Sequence, residues 1–178
     1  MRLLKSSFMA MLIRNSSVNG ADTCEQRYMC GVPDPTPEHF NEARDLIQEW
    51  NKWGSKIATS EVIRINTIWH RVRIDGMGNT NEDIAKNMKV LNGAFEPHFI
   101  FILDKIETSN NSYFWNGDSY GRDMRAHLHQ GDCSTLNIYS TSFAIDGIAA
   151  YPRRCQYNPL LDGVMIDYET FPGGKHRK

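Results

Sequence analysis

Between Val62 and Ile106 the hydrophobic period changes twice, and this change restricts the fold more than any other feature of the chain. Val62-Ile63-Arg64-Ile65-Asn66-Thr67-Ile68-Trp69-His70-Arg71-Val72 is rich in β-branched residues and reads as a strand. Gly76-Met77-Gly78-Asn79 reads as a turn. Thr80 or Asn81 can cap a helix whose apolar stripe is Ile84, Met88, Leu91 and Phe95, steps of four, three and four. Pro97 ends that helix. Phe99 to Ile106 is then apolar on both faces until Asp104, which predicts a strand inside a sheet covered on both sides. Strand, helix and strand in this order pair in parallel through a right-handed crossover.

Downstream, a polar loop is expected at Thr108 to Asn111, then a shorter helix over Asp123 to Gln130 with Met124 and Leu128 on one face and Gly131 at its end. Thr135 to Tyr139, Gly147 to Tyr151 and Gly163 to Tyr168 read as three further strands. Upstream, Cys30-Gly31-Val32-Pro33-Asp34-Pro35-Thr36-Pro37 is held extended by its prolines. Glu38 to Trp53 reads as a helix with Phe40, Ala43, Ile47 and Trp50 as its stripe, Thr36 as N-cap, Pro37 at the first position and Gly54 as stop. The predicted class is α/β: a mixed twisted sheet of about five strands with packed helices. Residues 1–59 form a leader-like segment with one helix, and residues 60–178 the main domain.

Composition removes several classes of function. Acidic and basic residues nearly cancel, 21 against 20, so no excess charge points to nucleic acid or an acidic membrane surface. At 40% hydrophobic and 23% charged, the chain is globular in character and not wholly disordered. The longest uninterrupted apolar run is Phe8 to Ile13, too short for a bilayer span and just short of a signal-peptide core despite Arg2 and Lys5 before it. Cys24, Cys30, Cys133 and Cys155 permit three full pairings and include no CxxC. Asn15 and Asn110 each begin an N-x-S sequon.

Self-contained catalytic motifs are missing: the sequence holds no GxSxG, P-loop, GxGxxG or HExxH. His127 and His129 lie two apart on a predicted helix, about 200° around its axis, so they cannot grip one metal and read as exposed helix-end imidazoles. His70 and His98 read as structural histidines, since neither has a partner at ligand spacing. Cys30, on its proline-stiffened loop, can serve as a thiolate ligand or pair with another cysteine.

Five blocks in unbroken order carry a resemblance. They are Thr80-Asn81-Glu82-Asp83-Ile84 through Val90-Leu91-Asn92-Gly93-Ala94-Phe95; Met124-Arg125-Ala126-His127-Leu128-His129-Gln130-Gly131-Asp132 followed by Leu136-Asn137-Ile138-Tyr139; Gly147-Ile148-Ala149-Ala150-Tyr151-Pro152; Asp162-Gly163-Val164-Met165-Ile166; and Pro172-Gly173-Gly174. With Cys30-Gly31-Val32-Pro33, they resemble the pappalysin-type secreted zinc metalloproteases of the metzincins, a group that includes the fungal extracellular metalloproteases.

The resemblance implies the N-terminal, upper subdomain of a metzincin catalytic domain, an extracellular location, and an extended peptide or protein substrate. It implies zinc in complete members and none bound by this chain, because the helix bearing HExxHxxGxxH would follow Gly174 and the sequence given stops at Lys178. The expectation is therefore a protease-like domain truncated before its metal site and inactive as such, or else a non-catalytic peptide- or protein-binding module. Gly147, Ile148, Ala149, Ala150 and Tyr151 are the expected edge strand for substrate. Cys30-Gly31-Val32-Pro33-Asp34 resembles a latency segment, in which the thiolate would take the fourth zinc position; a plain disulfide is the alternative.

Overall fold

The computed structural model describes residues 34–54, 62–115, 121–143, 145–150 and 154–172. Helix α1 (Pro37–Gly54) begins as expected at Thr36, whose Oγ1 accepts from the His39 backbone N–H at 3.4 Å while its own N–H donates to His39 Nδ1 at 3.1 Å. Phe40 and Ile47 of its expected stripe are not turned inward. Leu46 is buried at 6% exposure, whereas Phe40 is 55% and Ile47 43% exposed. Periodicity finds an apolar face; tertiary packing decides which flank of that face is covered.

Strand β1 (Ile63–Arg73) runs into a tight turn two residues earlier than the sequence suggested. Ile74 bridges Met77, and Asp75 and Gly76 between them both have positive φ, 46° and 80°, the pattern of a type I′ turn. Helix α2 (Asn81–Phe95) is closed by a capping box. Thr80 Oγ1 accepts from the Asp83 N–H at 3.2 Å, and the Thr80 N–H donates to Asp83 Oδ2 at 2.8 Å. Ile84 and Met88 are buried, with Leu91 and Phe95 packed beside them.

Strand β2 (Phe99–Asn110) pairs in parallel with β1, as a strand–helix–strand crossover requires. Thr67 faces Leu103 and Ile68 faces Lys105, so Asp104 is an extra residue on β2, a bulge. Thr108 to Asn110, expected in a loop, complete this strand. Next come α3 (Ser112–Trp115), α4 (Arg122–Leu128), β3 (Leu136–Thr141), β4 (Gly147–Ala149), α5 (Arg154–Tyr157), a 3₁₀ turn (Pro159–Leu161) and β5 (Val164–Asp167).

The five strands form one mixed sheet in the order β2-β1-β3-β5-β4, parallel throughout except for the antiparallel pair β4 and β5. This is the predicted class. Strand β2 lies at a margin of the sheet instead of inside it: an apolar run reports that both faces are covered and carries no information about lateral neighbours.

Successive residues of a strand point to opposite faces, and the two apolar clusters divide accordingly. Trp69 and Ile138 join Ile84 and Met88 of α2 on one face, with Phe99, Phe101 and Phe171. Val72, Tyr139 and Met165 join Phe114, Trp115 and Met124 of α3 and α4 on the other. The Trp69 indole N–H donates to Ser140 Oγ at 3.0 Å, so the largest side chain of the first cluster is also satisfied as a donor. Cys133 and Cys155 form a disulfide that ties the approach to β3 to helix α5. No described helix is long and apolar enough to cross a membrane.

Candidate functional site

The expected edge residues divide as follows. Gly147, Ile148 and Ala149 are β4, Ala150 follows it directly, and Tyr151 lies outside the described residues, as does Cys30. Strand β4 stands at the end of the sheet order with β5 as its one neighbour among the described strands. Its register is Gly147 to Ile166, Ile148 to Met165 and Ala149 to Val164. The ladder continues at both ends, with the Asp167 N–H donating to the Asp146 carbonyl at 3.0 Å and the Ala150 N–H donating to the Gly163 carbonyl at 3.2 Å.

Antiparallel ladders alternate along a strand. Asp146 and Ala150 bond toward β5, so Ile148 does too, and the backbone N–H and C=O groups of Gly147 and Ala149 point to the open side. Ile148 is buried and anchors the strand in the second apolar cluster. A Cβ on Gly147 would lie 2.9 Å from the Met165 carbonyl oxygen, so glycine permits the close pairing at the start of the strand. An edge of this kind accepts an extended peptide through main-chain bonds.

A cavity of about 200 Å³ opens at the Gly147 end of β4, lined by Ser142, Phe143, Ile145, Asp146, Asp167 and Tyr168 with Glu169 at its side. Sequence reasoning missed it. Its organiser is Asp167, 6% exposed, whose Oδ2 accepts from the Phe143 N–H at 2.7 Å and Oδ1 from the Glu169 N–H at 2.8 Å. One carboxylate thereby fixes both chain segments that flank the cavity. With Oδ1 accepting from the N–H two residues on, Asp167 makes an Asx turn, and nothing in Asp167-Tyr168-Glu169-Thr170 marks it in the sequence. The Tyr168 hydroxyl donates to Glu169 Oε1 at 3.0 Å, and partial burial together with that carboxylate raises its pKa above the usual phenol value.

The histidines do not converge. His70 is 1% exposed; its Nε2 lies 2.8 Å from Asn137 Oδ1, and its ring stacks on Tyr139 with centroids 4.7 Å apart. Asn137 Nδ2 donates to the Gln130 carbonyl and Oδ1 accepts the Gln130 N–H, which fixes the amide orientation and makes His70 Nε2 the donor. Burial holds the His70 pKa below its ordinary value, partly opposed by the Asn137 bond. His70 is thus the structural histidine expected.

His127 is exposed beside Phe114, as expected. His129 is not an exposed imidazole: it is half-buried just past the last turn of α4, its N–H donating to the Arg125 carbonyl at 2.9 Å. The helix stops at Leu128 because the backbone leaves helical geometry at His129, with φ −55° and ψ 136°. His98 is exposed. Among the described residues no group of three or more His, Cys, Asp or Glu side chains is placed to hold a metal ion.

No family model matches the chain. Curated relatives do. A protein named extracellular metalloprotease from Colletotrichum graminicola is 27% identical over 182 residues, covering 94% of this chain and 63% of its own. One of the same name from Arthroderma benhamiae is 30% identical over 124 residues, covering 65% of this chain and 42% of its own, and one from Sordaria macrospora is 25% identical over 183 residues, covering 96% and 64%. The chain is similar in sequence to extracellular metalloproteases. It spans less than two thirds of the length of each of these relatives. Among solved structures, mature mirolysin of Tannerella forsythia in complex with a cleaved peptide aligns with a TM-score of 0.49 at 19% identity, covering 63% of this chain and 55% of that one.

Zinc is the metal that the resemblance implies for complete members. The described residues supply no ligand set that fits it.

Proposed function

We propose that this chain is the substrate-aligning part of a secreted, pappalysin-type zinc metalloprotease, and that it acts by pairing an extended peptide with the open side of β4. The observation that carries the reading is the position of β4: a short antiparallel strand at the sheet margin whose Gly147 and Ala149 backbone groups face away from β5. Similarity to extracellular metalloproteases over 94% of the chain supports the family and the secreted location. A peptide laid on this edge receives the N–H and C=O of Gly147 and Ala149, and its side chain at one end reaches the cavity beside Phe143 and Tyr168. Hydrolysis is assigned to no residue here, since the 178 residues contain no HExxH to hold zinc and activate water. By the resemblance, Cys30 is a latency ligand for zinc, with a plain disulfide as the alternative.

Peptide titration followed by amide hydrogen exchange tests the pairing. Protection of the Gly147 and Ala149 amides on binding is expected, with the Asp167 amide unchanged because it already bonds to Asp146. Ala149→Pro removes an outward N–H and leaves the β5 ladder intact, an edge position where proline is tolerated. It should weaken binding by about 2- to 10-fold, the value of one hydrogen bond. Binding with neither protection at Gly147 and Ala149 nor sensitivity to proline at residue 149 would refute the proposal.

A further inference from the structure

The sheet has two margins, and they are unequal. Strand β4 has three residues, whereas β2 has twelve and presents an unpaired backbone along its outer side among the described strands, with Ile102 37% exposed beside it. A long open margin of this kind is a template for pairing with a second chain. Two features already interrupt it: the Asp104 bulge, and Lys105 paired with Glu107 at 3.0 Å.

A third feature stands at its end. Asn110 is the last residue of β2, exposed, and begins the sequon Asn110-Asn111-Ser112. Asn111 is engaged elsewhere, its Oδ1 accepting from the N–H groups of Tyr113 at 2.9 Å and Phe114 at 3.2 Å, so it caps α3. Ser112 is exposed as well. The tripeptide therefore lies at a strand–helix junction with its first and third residues open to solvent. The Cys133–Cys155 disulfide belongs to an oxidising compartment, the one in which this modification is made.

We propose that Asn110 is an N-linked glycosylation site and that its glycan closes the β2 margin, leaving β4 as the edge open to a peptide. This rests on the secreted location proposed above. In the transfer, the Asn110 amide nitrogen forms a bond to C1 of a lipid-pyrophosphate-linked oligosaccharide. The C1–oxygen bond to pyrophosphate breaks, the lipid pyrophosphate leaves with the electron pair, and the amide gives up one proton. The bulky hydrophilic product then stands at the C-terminal end of β2, level in register with Arg73 on β1, and its size shields that end of the margin from an added strand.

The test uses the full chain behind a cleavable secretion signal in a glycosylating eukaryotic host, read in lysate and medium. The two sequons fall in separate tryptic peptides, Asn15–Arg27 and Ile106–Arg122, so occupancy is scored independently. Release of the glycan by peptide N-glycosidase in ¹⁸O-water should leave labelled aspartate at residue 110, and both Asn110→Gln and Ser112→Ala should abolish the label. Recovery of Ile106–Arg122 wholly unmodified would overturn the site. Because the signal forces entry to the secretory route and the readout needs no peptide ligand, that failure is separate from failure of the function proposed for β4. Sedimentation of the secreted chain before and after glycan removal tests the second half: self-association on removal is expected, and an unchanged profile would overturn the edge-closing role.

Discussion

Replacing both Cys133 and Cys155 by alanine opens the loop that the disulfide closes, a sequence separation of 22 residues holding the whole of β3 and β4. In the chain-entropy account, the bridge removes about 11 cal/mol/K from the unfolded ensemble for a loop of this length, or about 3 kcal/mol at 25 °C. Nothing in the folded state offsets the loss, since Cys155 is buried at 7% exposure and alanine leaves a smaller side chain in its place. Urea unfolding followed by tryptophan fluorescence should therefore show the double variant less stable by about 3 kcal/mol, with a melting temperature lower by about 6–12 °C for a chain of this size. The ladder between β4 and β5 should exchange its amides faster than the pairing of β1 with β2, because the opened loop is the one that carries β4. A loss below about 1 kcal/mol, or uniform acceleration of exchange across the sheet, would refute the reasoning.

Three further outcomes follow from single contacts. The folded-state pKa of His70 lies below its unfolded value, so the unfolded chain binds more protons; the stability it contributes is full above the unfolded value near pH 6.5 and is lost as pH falls through the folded value. His70→Phe, which keeps a ring against Tyr139, should flatten the dependence of urea midpoint on pH below about 6.5, and an unaltered slope would exclude His70 as its source. Gly163 has φ of +124°, and a Cβ there would lie 2.5 Å from the Asn137 carbonyl oxygen, so Gly163→Ala should cost at least about 1–3 kcal/mol and loosen the turn into β5; wild-type stability would show that the backbone relaxes freely. Thr80→Ala removes half of the α2 capping box and should cost about 1 kcal/mol by denaturant titration, with Thr80→Ser restoring most of it.

Where local chemistry decided the structure, the sequence was readable. Thr80 and the steps from Ile84 to Phe95 locate α2 because capping and a 3.6-residue period act within a few residues. The β-branched run before Arg73 locates β1 for the same reason. Lateral order in the sheet is different: nothing in Phe99-Ile100-Phe101-Ile102 distinguishes a central strand from a marginal one, and β2 proved marginal. The inward flank of α1 was settled by which residue found a partner, and Leu46 did so instead of Phe40. Helix α3 is a single turn and has no period to detect, although it places Phe114 and Trp115 in the core. Of the candidate site, the position of Gly147 to Ala149 was legible as a short strand followed by proline. The cavity was not, because it depends on Asp167 bridging segments 24 residues apart. Likewise four cysteines allow three pairings, and only the proximity of Cys133 to Cys155 selects one bond.

The placement of β1 between β2 and β3 has a consequence during synthesis. Residues 63–110 emerge ahead of β3 and can assemble as strand, helix and strand, whereas β3 follows only after Thr141 has been made. At about 5–20 residues per second, roughly 2–6 s pass in which the second side of β1 is bare. During that interval the Trp69 indole has neither Ser140 to receive its N–H nor Phe171 against its ring. Nascent chains arrested with Asn110 just clear of the exit tunnel should therefore be cut by protease within or beside β1, and chains arrested with Phe171 clear of it should resist; equal resistance would mean that the first unit protects itself. The middle of the finished sheet is, on the ribosome, its most exposed part.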